Sequence, residues 1–202
     1  MDYICPTKDA ICEISEKKSR FIAHITYVET EEEAQSFITK IKKEHYDARH
    51  NVYAYILKTG EKKYSDDGEP SKTGGFPVLE MLECEHITNI CCVVTRYFGG
   101  TLLGVGGLIR AYTKAAKDCL ALCEVKQRKL CDLFEISFDY AFLNKTEHIL
   151  KTNNFEIEKK SFAENVVLEV VSQKDKSDFL KEKLESELGI NFKMQKIKEI
   201  YK

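Results

Sequence analysis

The sequence predicts an α+β protein of two domains, and three observations predict it. Residues 128–202 run strand, helix, strand, strand, helix, strand, the ferredoxin-like βαββαβ order. In the first half, Tyr-, Val- and Ile-rich strand patterns alternate with amphipathic helices. Between the halves, Glu124 to Lys129 turns polar, so the domains are placed at 1–126 and 127–202. The chain has 202 residues, 43% of them apolar, which suffices for two small cores.

The elements follow in order. Ala10–Ser15 and Arg20–Val28 read as strands. Thr30 caps a helix running to about Glu44, because Glu33 stands three residues later as a capping box requires. Its apolar stripe is Ala34, Phe37, Ile38 and Ile41. Asn51–Leu57 is a strand, and the polar stretch Lys58–Gly75 reads as one long loop. Pro77 suits the first turn of a short helix ending near Cys84. A strand at 90–95 and a glycine-rich junction precede a helix from Leu108 to about Leu122. On that helix Leu108, Ala111, Tyr112, Ala115, Cys119 and Leu122 share a face. In the second half Phe134, Ile136, Phe138 and Tyr140 alternate as a half-buried strand, and Phe142–Asn153 is helical. Two strands, Phe155–Phe162 and Val166–Ser172, flank Ala163-Glu164-Asn165. A helix carrying Phe179, Leu180, Leu184 and Leu188 and a last strand, Phe192–Tyr201, complete the order.

Composition narrows the function. The formal net charge of -2 argues against a globally basic nucleic-acid binder. Of the 31 basic residues 26 are lysine, and four of the five arginines (Arg20, Arg49, Arg96, Arg110) precede residue 127. Arginine is the residue for planar, bidentate grip on phosphate or carboxylate, so the first half is where an anion contact is expected. The eight cysteines form no C-x-x-C and no zinc spacing. Cys91 and Cys92 point to opposite faces of one strand, and Cys119 and Cys123 lie four apart on a helix. They read as reduced core residues of a cytoplasmic protein. Neither a signal peptide nor a membrane span is visible, and no cofactor or metal is implied.

The most informative stretch runs from Arg96 to Arg110. It packs Gly99, Gly100, Gly104, Gly106 and Gly107 between a strand and a helix. Glycines at such a junction let backbone N–H groups approach an anion at the helix N-terminus, or simply permit a tight turn. The stretch lacks the Gly-Lys-Ser/Thr end of a Walker loop. Ile109 stands where a dinucleotide fingerprint needs glycine, so neither nucleotide class fits. A second motif, Tyr64 to Gly75, places Asp66, Asp67 and Glu69 within four positions. Internal salt bridges, an acidic turn and a hard-cation site are the readings, and no EF-hand pattern supports the last. His50, between Arg49 and Asn51, can be drawn with Asp66 or Asp67 as a hydrolase, although no Gly-x-Ser-x-Gly elbow accompanies it. Lys17, Lys18 and other cations, with Tyr97 among the tyrosines, supply material for a phosphate-binding face. Residues 128–202 balance 14 basic against 14 acidic residues, a solvated surface.

Four blocks carry a family resemblance. They are Lys17-Lys18-Ser19-Arg20-Phe21-Ile22-Ala23, Ala48-Arg49-His50-Asn51 through Tyr55, Ser65-Asp66-Asp67-Gly68-Glu69-Pro70-Ser71, and Thr95-Arg96-Tyr97-Phe98-Gly99-Gly100 continuing through Gly104 to Tyr112. In this order they resemble the YigZ/Impact family. The resemblance implies a first domain like one shared by a ribosomal protein and the fourth domain of the translocation elongation factor. It implies a second domain similar to that factor's fifth. It points to translation, with RNA, the ribosome or a protein as partner. This chain departs from the family pattern at Lys72 (usually Gly), Phe76 (usually basic) and Thr101-Leu102-Leu103 (usually Lys-containing), gaining one cation and losing two.

The expectation is therefore a non-enzymatic, translation-associated binding protein. Its binding residues are Arg20, Arg49, His50, Asp66, Asp67, Glu69, Arg96, Tyr97, Gly99, Gly100, Gly106, Gly107 and Arg110. A hydrolase built on His50 with Asp66 or Asp67 and a purely protein-binding regulator are the alternatives.

Overall fold

A computed structural model describes residues 2–202. The chain divides into two compact units, Tyr3–Gln127 and Arg128–Lys202, the latter also taking Asp2.

The first unit is built on a five-stranded antiparallel sheet. Its strands are β2 (Ala10–Glu16), β3 (Ser19–Tyr27), β4 (His50–Ile56), β5 (Lys62–Ser65) and β6 (Ile90–Tyr97), in the order β2-β3-β6-β4-β5. Helix α1 (Glu31–Glu44) covers one face through Ala34, Ile38 and Ile41, against Tyr55, Cys91 and Val93. Helices α2 (Gly75–Cys84) and α3 (Val105–Leu122) cover the other, against Phe21, Ala23, Val52, Ala54, Cys92 and Val94. Cys91 and Cys92 therefore enter opposite cores, as strand alternation demands. All eight cysteines are free thiols. Burial pushes Cys123 up to about 11 and Cys119 to about 12, so neither is an activated nucleophile.

Local chemistry explains most boundaries. Thr30 caps α1 by accepting from the Glu33 N–H at 3.2 Å, while Glu33 reaches back to the Glu29 N–H at 2.7 Å. Four of the expectations shift. The 58–75 stretch is not all loop, because Lys62–Ser65 pairs with β4 as a short edge strand. Helix α3 starts at Val105, three residues early, since Gly104 supplies a positive φ of 74° at the cap. Its buried face runs through Ala116 and Leu120, whereas Leu122 is exposed. The polar 124–129 stretch carries a strand too, β7 (Val125–Arg128), which pairs with β1 (Tyr3–Pro6).

The second unit has the expected β-α-β-β-α-β order: β8 (Leu130–Phe138), α4 (Leu143–Thr152), β9 (Glu156–Phe162), β10 (Val166–Gln173), α5 (Ser177–Leu188) and β11 (Phe192–Tyr201). The antiparallel sheet runs β11-β8-β10-β9, the split βαβ arrangement. One face packs Ile136, Phe138, Val166, Leu168 and Val170 against Ile149, Leu150, Leu180 and Leu184 of the two helices. No helix among the described residues is long and apolar enough to cross a membrane.

Candidate functional site

Strand register assembles the site. On the α2/α3 face of the first sheet, Phe21, Arg96 and His50 stand side by side on β3, β6 and β4. Arg96 and His50 are the last inward positions of their strands, so the row lies where the glycine segment leaves β6. Arg96 is 6% exposed, and its Nη1 donates to Glu69 Oε1 at 2.7 Å. The Tyr112 hydroxyl on α3 donates to the same oxygen at 2.7 Å. Desolvation and the Glu69 carboxylate push the Tyr112 pKa far up, so it stays a proton donor. The Arg96 guanidinium lies 5.5 Å from both the Phe21 and Phe98 ring centres, and its Nε is buried without a partner. His50 Nε2 stands 3.9 Å from Glu69 Oε1.

The acidic loop splits into two roles. Glu69 belongs to the buried network, and the two aspartates are architecture. Asp66 accepts the backbone N–H groups of Lys72, Gly74 and Gly75 at 2.8–3.0 Å, tying the loop to the start of α2. Asp67 accepts the Asn51 N–H at 2.7 Å and pairs with Lys42 Nζ at 2.7 Å. Its backbone carbonyl, not its carboxylate, bonds His50 Nδ1 at 2.8 Å. This holds the proton on Nδ1 and turns Nε2 towards Glu69. Neither aspartate carboxylate orients the His50 ring.

The glycine segment separates two concave surfaces. On one side a cleft of about 450 Å³ is lined by Arg49, His50, Glu69 and Arg96, with Phe98, Leu102, Leu103, Val105 and Leu108 as apolar walls. On the other, a pocket of about 210 Å³ is lined by Lys17, Arg110, Lys114, Glu16 and Gly107. Between them the first turn of α3 has no capping side chain and no acidic residue. Its first N–H groups are thus unneutralised. Arg110 folds back along its own helix, with Nη1 3.4 Å from where a Cβ on Gly106 would stand. Gly99 has a different duty, since a Cβ there would lie 2.0 Å from the Lys18 carbonyl carbon. The hairpin turn at Lys17-Lys18 thus seats directly on it, and the Gly99 N–H donates to Ser19 Oγ at 3.1 Å. Gly100 has a positive φ of 83° in the exposed part of the segment.

Arg20 and Tyr97, expected beside Arg96, point to the α1 face instead, because adjacent strand residues alternate. There Arg20 makes two bonds to Glu13 at 2.8 and 2.9 Å and lies 5.4 Å from the Tyr97 ring centre. Tyr97 donates to Asp47 Oδ1 at 3.0 Å, leaving its oxygen to accept from His45 Nδ1 at 3.0 Å. Of the thirteen expected residues, Arg49, His50, Glu69 and Arg96 share the cleft, while Gly107 and Arg110 line the pocket. Sequence reasoning missed Tyr112, Lys42 and Lys114. Tyr112 carried a usable signal, since a hydroxyl on a buried helix face requires an acceptor.

Comparisons with known proteins show the family. Residues 17–120 match the Impact N-terminal domain family. The chain is 46% identical over 170 residues to IMPACT family member YvyE of Bacillus subtilis, covering 83% of this chain and 78% of the relative. It is 36% identical over 196 residues to an IMPACT family member of Haemophilus influenzae, covering 93% of this chain and 94% of that one. A crystal structure described as that of a hypothetical protein superposes with a TM-score of 0.64 at 28% identity, covering 98% of both chains.

Proposed function

The chain belongs to the Impact family, and from that premise we propose a non-enzymatic, cytoplasmic regulator of translation that contacts RNA or the ribosome. The contact is made through phosphates at the glycine segment of the first domain. The second domain, residues 127–202, is the ferredoxin-like module whose likeness to the elongation factor's fifth domain fits the same setting. One observation carries the reading. Lys17 and Arg110, neither in an ion pair among the described residues, line one pocket beside the uncapped first turn of α3. Lys17 and Lys18 sit at φ 48° and 67° as the two central residues of the β2–β3 hairpin. That is a turn for which Asn-Gly is the usual choice. A left-handed backbone costs roughly 1–2 kcal/mol per such residue, so two cations are held at this point against local preference.

Arg96 is a poor probe, because it is buried against Glu69 and its removal disturbs the fold. Arg110 and Lys17 are exposed and test the reading cleanly. Sedimentation of the protein with ribosomes, and titration with a single-stranded RNA, are measured across a range of salt. Arg110→Ala and Lys17→Ala should each weaken binding and reduce the slope of log K against log salt by about one charge. Equal slopes for wild type and both variants would remove the proposal.

A further inference from the structure

We infer that the cleft on the Arg96 side of the glycine segment is a second binding site, built for an acidic peptide that carries an aliphatic side chain beside a carboxylate. The apolar half comes first. Leu102, Val105 and Phe98 are 83%, 59% and 44% exposed, yet they gather on the rim of a single cleft whose base holds the buried Leu103 and Leu108. Large apolar side chains grouped around a concavity mark a binding surface rather than scattered surface noise. The volume of about 450 Å³ lies within the roughly 300–1,000 Å³ of small-ligand sites.

The polar half sets the sign. Glu69 is already spoken for by Arg96 and Tyr112, so the cleft's remaining formal charge is the exposed Arg49, with His50 Nε2 beside it. The α3 N-terminus adds partial positive charge with no side-chain oxygen to meet it. Arg96 supplies the independent sign of a missing partner. It is more than nine-tenths buried, lines this cleft, and keeps Nε without a bond. Buried polar atoms are almost always satisfied, so this residue of the cleft lining holds a hydrogen-bonding capacity that the described residues leave unmet.

Wall chemistry separates peptide from RNA. Bases bind by stacking on aromatic planes, and Leu and Val offer none. Of the two rings that line the cleft, Phe98 already faces the Arg96 guanidinium and the His50 imidazole is held by the Asp67 carbonyl. Aliphatic walls beside a cationic end instead match a Leu- or Val-type side chain next to a carboxylate. This site shares only Leu103 with the lining of the Lys17–Arg110 pocket, so it goes beyond the phosphate reading and fails separately from it.

N-acetyl-leucine, N-acetyl-leucinamide and inorganic phosphate are the probes, titrated into the full chain while amide shifts are followed by NMR. The expected result is saturable shifts at Gly104 to Leu108 with N-acetyl-leucine, and binding about tenfold weaker for the uncharged amide. Leu102→Ser and Arg49→Ala should each weaken the N-acetyl-leucine response while leaving the fold intact. Equal responses to the acid and the amide would overturn the inference, as would no response to either. Phosphate shifting the same amides more tightly than N-acetyl-leucine would overturn it as well, and each of these results leaves the phosphate reading to the salt slopes of Arg110→Ala and Lys17→Ala.

Discussion

The two units of the molecule treat buried charge in opposite ways. The first encloses a carboxylate and a guanidinium, Glu69 and Arg96, in a network with Tyr112. The second packs an apolar core and places its ion pairs outside. Lys160–Glu147 and Lys145–Glu187, for example, have side chains 35–49% exposed. Its one buried acid among the described residues, Asp132, is met at the surface by Lys196. Desolvating two charges costs several kcal/mol per ion, and well-packed apolar residues often do as well or better for stability. A unit that keeps such a pair next to an apolar cleft has a use for it beyond stability. On the reading proposed above, partner contact therefore lies in the first unit, and the second unit has a packed core with a solvated surface.

Removing one partner of the buried pair gives the largest expected effect. Glu69→Ala leaves Arg96 uncompensated and should destabilise the protein by ~3–5 kcal/mol in equilibrium urea unfolding. Asp66→Ala comes next, since three backbone N–H groups lose their acceptor, with an expected loss of about 2 kcal/mol. Tyr112→Phe removes one neutral donor from Glu69 and should cost about 1 kcal/mol. Lys160→Met in the second unit should change stability by less than ~1 kcal/mol, as an exposed pair does. If Lys160→Met matched Glu69→Ala, the contrast between the units would collapse.

A pH effect sharpens the contrast further. His24 is buried on the α1 face, its Nε2 3.2 Å from His45 Nε2. Desolvation, with the neighbouring His45, lowers its pKa below the ordinary histidine value. The unfolded chain therefore takes up this proton first as pH falls. Its stabilising contribution is complete above the ordinary histidine pKa and is lost as pH drops through the lowered folded value. Urea unfolding between neutral and mildly acidic pH should show stability falling on acidification. His24→Gln should flatten that slope.

Periodicity made much of this legible. β11 and α1 fall where alternation and the capping box put them, because each signal is local. What escaped depends on distant partners. β1 and β7 are four residues each and mean little until paired with one another, and β5 is an exposed edge whose only apolar member is Tyr64. The site shows the same divide. Arg96 and Tyr97 are neighbours in the chain, yet alternation sends them to opposite faces. Asp66, Asp67 and Glu69 look equivalent in sequence. Only the backbone path reveals that two of them tie down N–H groups and the third meets Arg96. Tyr112 was readable as a core residue, and its second role needed Glu69 in place.

The central claim is that partner contact belongs to the first unit, around the glycine segment. Hydrogen exchange of the full chain, alone and with ribosomes, followed by mass spectrometry, tests it most directly. Slowed exchange at residues 16–20 and 99–108, with 128–202 unchanged, is the predicted result. Protection confined to 128–202 would contradict it.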